Sequence, residues 1–261
     1  MAPRIAPHGG CEDVTLYSDF YDETYFNSGT TFPWMQKRLA QAKPTRIYRP
    51  QLRNIRPLIK HGGKILDIAC AFGAFLDEVQ RKFNSMSIRL TGMDASSYAI
   101  ERAKNFFPTI DFIHADITKP LPEHAVKEKF DFISARNLLE HLSDEHRKIF
   151  YKNARQLLAD GGHLYIEVPN FQGIPRYIDP SWFIHPAHQK QDYTDKVLAD
   201  ELRKEGFSIT TLDGMDILII REMNYDIHAK VAWFIDLPNI ITPPLIKRRF
   251  FRSIYVIATL R

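Results

Sequence analysis

The sequence predicts an α/β sandwich built on a mostly parallel sheet, and three observations carry that prediction. From residue 64 onward, short apolar runs alternate with stretches of helical periodicity, the pattern of strands joined by crossover helices. Acids close the first three of these units, as Asp67, Asp94 and Asp116, at strand ends where open α/β sheets bind their ligands. The chain has 261 residues, 44% hydrophobic and 25% charged, an ordinary globular composition that excludes wholesale disorder. At roughly 150 residues per domain, that is one large domain or one domain with additions.

The strand candidates, in order, are Ile65–Ile68, Ile88–Met93, Ile110–Ala115, Phe130–Ala135, His163–Val168, Ile209–Leu212 and Ser253–Leu260. Helices are expected at Phe75–Phe83, Ser97–Phe106, Asp144–Ala159 and Asp195–Glu205. Ser143 followed by Asp144 and Glu145 is a capped helix start with acids in its first turn. Gly161-Gly162 and Gly206 are expected to close helices before the next strands. Ahead of the sheet lie a tail over residues 1–15 and an aromatic segment in which Tyr17, Tyr21 and Tyr25 fall on one helix face. Between Lys37 and Lys64 there are nine Lys or Arg and no acid, so with a net charge of +4 the remainder carries −5. The overall charge is too small to imply nucleic-acid binding by itself.

Composition excludes several classes. Two cysteines, Cys11 and Cys70, make no disulfide framework, and no Cys/His metal spacing exists. The spacing His185-x-x-His188 lacks a third ligand, so no metal is expected. The first residues carry no apolar signal run and no stretch of about 18 apolar residues occurs, so a cytoplasmic protein with no membrane span is the expectation.

The sharpest chemical signal is Lys64-Ile-Leu-Asp-Ile-Ala-Cys-Ala-Phe-Gly-Ala-Phe-Leu76, an apolar strand ending in an acid and a turn of small residues. A dinucleotide pyrophosphate needs GxGxxG at such a turn, but here Ala69 and Ala71 leave one glycine, Gly73. An acid and a methylated turn suit a ligand with a cationic ammonium, taken by Asp67 and the Ala69 carbonyl. Leu90-Thr-Gly-Met-Asp94 ends the next strand with an acid placed for two ribose hydroxyls. His114-Ala-Asp116-Ile117 offers an acid and an apolar neighbour for an adenine. Leu139-Glu-His-Leu142 and Leu164-Tyr-Ile-Glu-Val-Pro-Asn170 follow on the fourth and fifth strands.

In this order and spacing the motifs resemble those of class I S-adenosylmethionine-dependent methyltransferases of the small-molecule type, over about residues 45–212 and, more weakly, the final strand. The resemblance implies a Rossmann-like three-layer sandwich whose seven-stranded, mostly parallel sheet has an antiparallel last strand. It divides the chain into a tail and aromatic/basic helical lid at 1–45 and a methyltransferase domain at 46–261, with an insertion at 214–251 before the last strand. It implies S-adenosyl-L-methionine as cofactor and S-adenosyl-L-homocysteine as product. Asp67, Ala69 and Gly73 would line the methionine end, Asp94 with Ala95 the ribose, and Asp116 with Ile117 the adenine. Arg136 would touch the methionine moiety, and Arg49 or Arg53 its carboxylate. Ala69 and Ala71 for glycines, and Phe72 for a small hydroxyl residue, depart from the family pattern.

The acceptor side is less specific. A hydroxyl acceptor needs a base, for which His141 or His188 is the candidate. His141 also reads as a helix-entrance cap. His185, Tyr193, Tyr21 and Tyr25 are candidates for the acceptor pocket, with His185 and His188 alternatively anchoring a loop and the tyrosines alternatively packing on the core. The basic stretch reads as a solvated helix face or as a contact for an anionic acceptor. The expectation is therefore methyl transfer to a small molecule, to oxygen rather than nitrogen, with a homodimer compatible. The alternatives are an RNA or protein methyltransferase and a non-catalytic binding subunit. Ser-Ala-Arg-Asn at the end of the fourth strand weighs against RNA, and the three acids weigh against the non-catalytic subunit.

Overall fold

The computed structural model describes residues 21–28, 31–121, 123, 127–174, 177, 190, 192–217, 241–244, 246–247 and 251–260. Helices α1 (Glu23–Asn27), α2 (Thr31–Ala40) and α3 (Arg49–Ile55) precede the sheet. Then come β1 (Lys64–Ile68), α4 (Ala74–Lys82), β2 (Arg89–Asp94), α5 (Ser97–Phe106), β3 (Asp111–His114) and β4 (Phe130–Arg136). The chain continues through α6 (Asp144–Leu157), β5 (Leu158–Pro169), α7 (Asp195–Lys204), β6 (Phe207–Ile217) and β7 (Phe251–Leu260).

The seven strands form one sheet in the order β3-β2-β1-β4-β5-β7-β6. Pairs from β3 to β5 are parallel, while β7 runs antiparallel between β5 and β6. The expected topology is the one observed. Neighbouring residues on each strand go to opposite layers because side chains alternate along a strand. Leu66, Ile133, Ile166 and Val256 join α6 and α7 in one apolar cluster. Ile65, Phe132, Tyr165 and Ile257 join α3, α4 and α5 in the other. These are the three layers. Chain order reverses between β1 and β4, and ligands of open α/β sheets bind beyond the carboxyl ends at such a point.

Three local expectations are corrected. Gly161-Gly162 does not close a helix: α6 stops at Leu157, and β5 begins at once, with its register against β4 shifting between Phe130 and Phe132. The glycines make that irregularity, since a Cβ on Gly162 would lie 2.9 Å from the Ala159 carbonyl oxygen and 3.0 Å from that of Phe130. Strands β6 and β7 are longer than their apolar cores, pairing out to Ile217 with Phe251. Finally, Tyr21 and Tyr25 do not share a helix. Asp22 caps α1 by accepting from the Tyr25 N–H, so Tyr21 lies outside it; the two rings meet edge to face at 4.8 Å instead. Tyr17 lies outside the described residues.

The N-terminal helices pack onto the sandwich through a third apolar cluster of Phe26, Met35, Leu39, Phe72, Ala74 and Ala99. Phe72 is its centre: its ring lies 4.9 Å from Phe26 and 5.9 Å from Phe32. The departure from a small residue in the first loop is thus the anchor of α1 and α2. Within the basic stretch, Lys37, Lys43, Arg46, Arg49, Arg56 and Lys60 are exposed. Among the described residues no helix is long and apolar enough to cross a membrane, and no group of three or more His, Cys, Asp or Glu could hold a metal.

Candidate active site

A cavity opens beyond the carboxyl ends of β1, β2, β3 and β4. Its wall is assembled from the last residues of these strands and the loops that follow them. Ile68, Ala69 and Ala71 come from the first; Met93, Asp94 and Ala95 from the second; Ala115, Asp116, Ile117 and Thr118 from the third. Asn137, Leu138, His141 and Leu142 follow β4, and Tyr21, Tyr25, Phe26 and Phe32 cover the cavity from the N-terminal side. Eight residues expected from the sequence therefore meet here: Ala69, Asp94, Ala95, Asp116, Ile117, His141, Tyr21 and Tyr25.

The first loop keeps a glycine-like backbone without the glycines. Ala69 and Ala71 hold positive φ of 56° and 47°, and Gly73 follows at 75°. Only Gly73 could not be replaced in the same way, because a Cβ there would lie 2.7 Å from the Phe112 ring. The loop is tied to β2 by the Ala71 N–H, which donates to Asp94 Oδ2 at 2.8 Å. Asp94 Oδ1 accepts from the Ser96 N–H at 2.9 Å, so each carboxylate oxygen retains a lone pair for a hydroxyl. Burial pushes the Asp94 carboxyl up to about 6, opposed by those two N–H groups. His114 Nε2 lies 2.9 Å from the Ala95 carbonyl oxygen and buttresses the same turn.

Asp116 holds its own loop by accepting from the N–H and hydroxyl of Thr118 through Oδ1, at 2.9 and 2.7 Å. Its Oδ2 is buried without a hydrogen bond, 3.6 Å from the Lys119 ammonium. An exocyclic amino group entering between Ile117 and Met93 would satisfy that oxygen. A diol acceptor at Asp94, an amine acceptor at Asp116 and apolar walls between them fit the ribose and adenine of S-adenosylmethionine.

The other expected residues lie away from this wall. Asp67 is fully buried beneath it, accepting from the Ser134 hydroxyl at 2.7 Å and from Arg136 Nη2 at 3.0 Å. Arg136 is held over the Phe75 ring at 4.0 Å and the Tyr48 ring at 4.6 Å. Burial raises the Asp67 carboxyl, and Arg136 with Ser134 opposes the shift. Arg49 is exposed, Arg53 half-buried on α3, and Gly73 caps α4; none of the three lines the cavity. Tyr193 does not line the cavity: it is fully buried in the core, its hydroxyl donating to Glu201 at 3.1 Å. His185 and His188 lie outside the described residues.

At the acceptor side, Tyr21 sets its ring edge-on to His141 at 6.0 Å. Burial, with the charges of Glu140 and Asp94, pushes the Tyr25 hydroxyl up to about 12, so it is a hydrogen-bond donor there and not a base. Sequence reasoning missed Asn137 and Thr118. Asn137 stands at φ 50°, its N–H donating to the Glu167 carbonyl at 2.8 Å; the Asp-x-Thr spacing around Thr118 was the legible signal.

Residues 36–212 match the family described as the methyltransferase domain. The chain belongs to that family, as a class I S-adenosylmethionine-dependent methyltransferase. The enzyme is 34% identical over 203 residues, 69% of its own length and 78% of the relative, to the ubiquinone biosynthesis O-methyltransferase of Coxiella burnetii strain Dugway 5J108-111. In other strains of that organism the match spans 62% of the relative. Cycloartenol-C-24-methyltransferase of Arabidopsis thaliana is 28% identical over 59% of this chain and 48% of the relative. Among solved structures, a SAM-dependent methyltransferase of Archaeoglobus fulgidus superposes with TM-score 0.58 at 15% identity, covering 86% of this chain and 98% of the other. Coclaurine N-methyltransferase, solved with N-methylheliamine and SAH, gives TM-score 0.57 at 16% identity over 82% of this chain and 72% of its own.

Proposed function

We propose that this methyltransferase methylates an oxygen of a small-molecule acceptor. The observation that carries the reading is His141, a side chain able to take a proton, in the wall of a cavity otherwise lined by apolar groups, two acids, two phenols, Thr118 and Asn137. A hydroxyl nucleophile must lose a proton as it reacts, whereas a neutral amine need not until afterward. The name of the Coxiella burnetii relative supports the same chemistry.

The bound cofactor supplies an activated methyl group on a sulfonium. The chain's own residues have three tasks: to hold the acceptor oxygen in line with that methyl, to exclude water, and to take up the proton. Asp94 and Asp116 fix the nucleoside end, and Asp67 with Arg136 stiffens the floor where β1 and β4 end. Residues 1–45 serve as a lid, of which Tyr21, Tyr25, Phe26 and Phe32 form the described underside over the cavity. His141 stands beside that underside as the base.

The test is a transfer assay with methyl-labelled cofactor and a panel of phenols, catechols, aliphatic alcohols, primary amines and total RNA. Label on an oxygen acceptor is expected, with His141→Gln slowing turnover at least a hundredfold while S-adenosylhomocysteine still binds. Label found only on amines or RNA overturns the reading.

A further inference from the structure

We propose that Gln36 is a positioning residue for the lid: its carboxamide clasps α1 to α5, holds the aromatic underside over the cavity and sets how long the nucleoside product stays bound. The proposal deepens the lid reading given above and rests on it.

Helix α1 is too short to hold itself. It has five residues, and isolated helices shorter than roughly 12–15 residues are marginal in water. Yet it carries Tyr25 and Phe26 into the cavity wall. Asp22 caps its start, and at its end Ser28 donates to the Tyr25 carbonyl through its N–H and, at 2.6 Å, through its hydroxyl. The next carbonyl, that of Phe26, is one of the C-terminal oxygens that a helix leaves without a partner of its own. Gln36 of α2 supplies the donor. Its Nε2 lies 3.3 Å from the Phe26 carbonyl oxygen and 3.2 Å from Asn27 Oδ1.

The same side chain reaches across to the domain. Gln36 Oε1 accepts from Arg102 Nη2 of α5 at 3.0 Å. These partners fix which way the carboxamide points, because a guanidinium only donates and a carbonyl only accepts. Gln36 is 7% exposed, so its bonds form largely out of competition with water. Arg102 leans on the Phe106 ring at 5.2 Å, and its Nε is buried without a hydrogen-bond partner. Met at 102 and Leu at 36 would leave no such orphaned donor, so apolar packing does not account for the pair. A second tie runs beside the first, from Asn27 Nδ2 to the Tyr98 hydroxyl at 3.4 Å.

The place where α5 begins gives the clasp its use. Ser96 caps α5 by accepting from the Ala99 N–H, and its own N–H donates to Asp94. The helix that holds the lid thus starts at the acid placed for the ribose. Helix α1 and the Asp94 turn are two walls of one cavity, and Gln36 with Arg102 fixes one against the other. Releasing the clasp frees the wall over the nucleoside and leaves the sheet beneath as it was. Ligand then escapes faster, while its entry is not slowed.

The experiment follows dissociation and amide exchange in the full chain. Adenine-labelled S-adenosylhomocysteine is bound and chased with the unlabelled compound, and hydrogen exchange is read by mass spectrometry with and without it. In the native enzyme the ligand should slow exchange over residues 21–28. Gln36→Leu and Arg102→Met should each speed dissociation at least fivefold with association within twofold. Each should also raise exchange over residues 21–28 of the bound enzyme and not in β1, β2 or β4. The double variant should be no faster than the quicker single one, since both remove one clasp. Dissociation within twofold of native in a folded Gln36→Leu overturns the proposal, and Arg102→Met, at a half-buried site, decides in the same way where Gln36→Leu does not fold. Exchange raised equally in the sheet makes Gln36 a residue of general stability and overturns it too. Native enzyme without ligand protection over residues 21–28 has no lid there, which removes the lid reading and this proposal together. The oxygen reading stands apart from all of these outcomes, because the labelled acceptor panel decides it.

Discussion

The ends of β1 and β2 lie side by side, in register from Lys64 with Arg89 to Ile68 with Met93, yet their acids live in different surroundings. Asp67 is enclosed: β4 lies on the far side of β1 and brings Ser134 and Arg136 onto its two oxygens. Asp94 has β3 as its outer neighbour, and the polar side chain there, His114, is spent on the Ala95 carbonyl. Its donors are instead backbone N–H groups of the loops it holds, and its free lone pairs face the cavity. An acid at a strand end thus faces the cavity or is spent on the fold according to what the next strand delivers. The acid–turn pattern around Asp67 reads as the stronger ligand signal in the sequence, and the neighbour is what the pattern does not contain.

The largest effect that would break this contrast is on stability. Arg136→Met leaves the Asp67 carboxylate buried without its cation, which costs about 3–5 kcal/mol when one partner of such a pair is removed. In thermal unfolding that is a fall of roughly 10 °C for a chain of this size. The sign with pH is set by burial, which raises Asp67. Without Arg136 the charged form is disfavoured further, so the variant regains stability as pH falls. Adding Asp67→Asn to the same chain recovers most of the loss, since no buried charge is then uncompensated. If Arg136→Met unfolds like the native enzyme but loses cofactor, Asp67 and Arg136 belong to the ligand site instead.

The next effect is on binding. Asp94→Ala removes a charged acceptor from two hydroxyls, so calorimetry with S-adenosylhomocysteine should show at least a tenfold rise in Kd, about 1.4 kcal/mol or more. Asp94→Ala also leaves the Ala71 and Ser96 N–H groups without their acceptor, so some stability is lost with it. What separates the two acids is affinity: Arg136→Met loses Tm, and Asp94→Ala loses cofactor binding measured well below its own Tm.

A smaller effect, tied to Asp94 alone, appears with pH. Its folded pKa of about 6 lies above the unfolded value of roughly 3.9, so its protonated form favours folding, a contribution lost as pH rises through 6. Binding uses the ionised form and moves the other way. Affinity for S-adenosylhomocysteine should fall as pH drops through 6, to about a tenth at pH 5 of its value at pH 7. Asp94→Asn should flatten that dependence; a native enzyme with constant affinity over this range would remove Asp94 from the ribose.

What was legible followed from periodicity and from local loop chemistry. The seven strands and the four helices expected after residue 64 stand within a few residues of their predicted bounds, apart from the longer β5 and β6, because alternating apolar runs leave little choice of layer. Asp94, Asp116 and the small residues of the first loop meet at one cavity because strand ends and the turns after them are sequence-local. Long-range pairings were not legible. Nothing near Asp67 announces Arg136, 69 residues on. Phe72 looks like a flaw in the loop until Phe26 and Phe32 are placed against it. The cap at Asp22 was readable, and reading it would have ended the tyrosine helix between Tyr21 and Tyr25.

The smallest effect sharpens the comparison at the loop that joins the two acids. Ala71 holds φ 47° so that its N–H can reach Asp94, and for an L-residue the left-handed region costs about 1–2 kcal/mol. Glycine removes that strain but loses more backbone entropy on folding, about 0.5–1 kcal/mol relative to alanine. The difference favours Ala71→Gly by about 0.5–1 kcal/mol, a rise in Tm of about 1–4 °C. Because the N–H and the backbone path are unchanged, affinity for S-adenosylhomocysteine should stay within twofold. A lower Tm would mean that the methyl group packs usefully against the cavity wall, and that the alanines are there for the contact they make. A higher Tm with weaker binding would mean that the strained loop is pre-set for the cofactor and that relaxing it costs affinity.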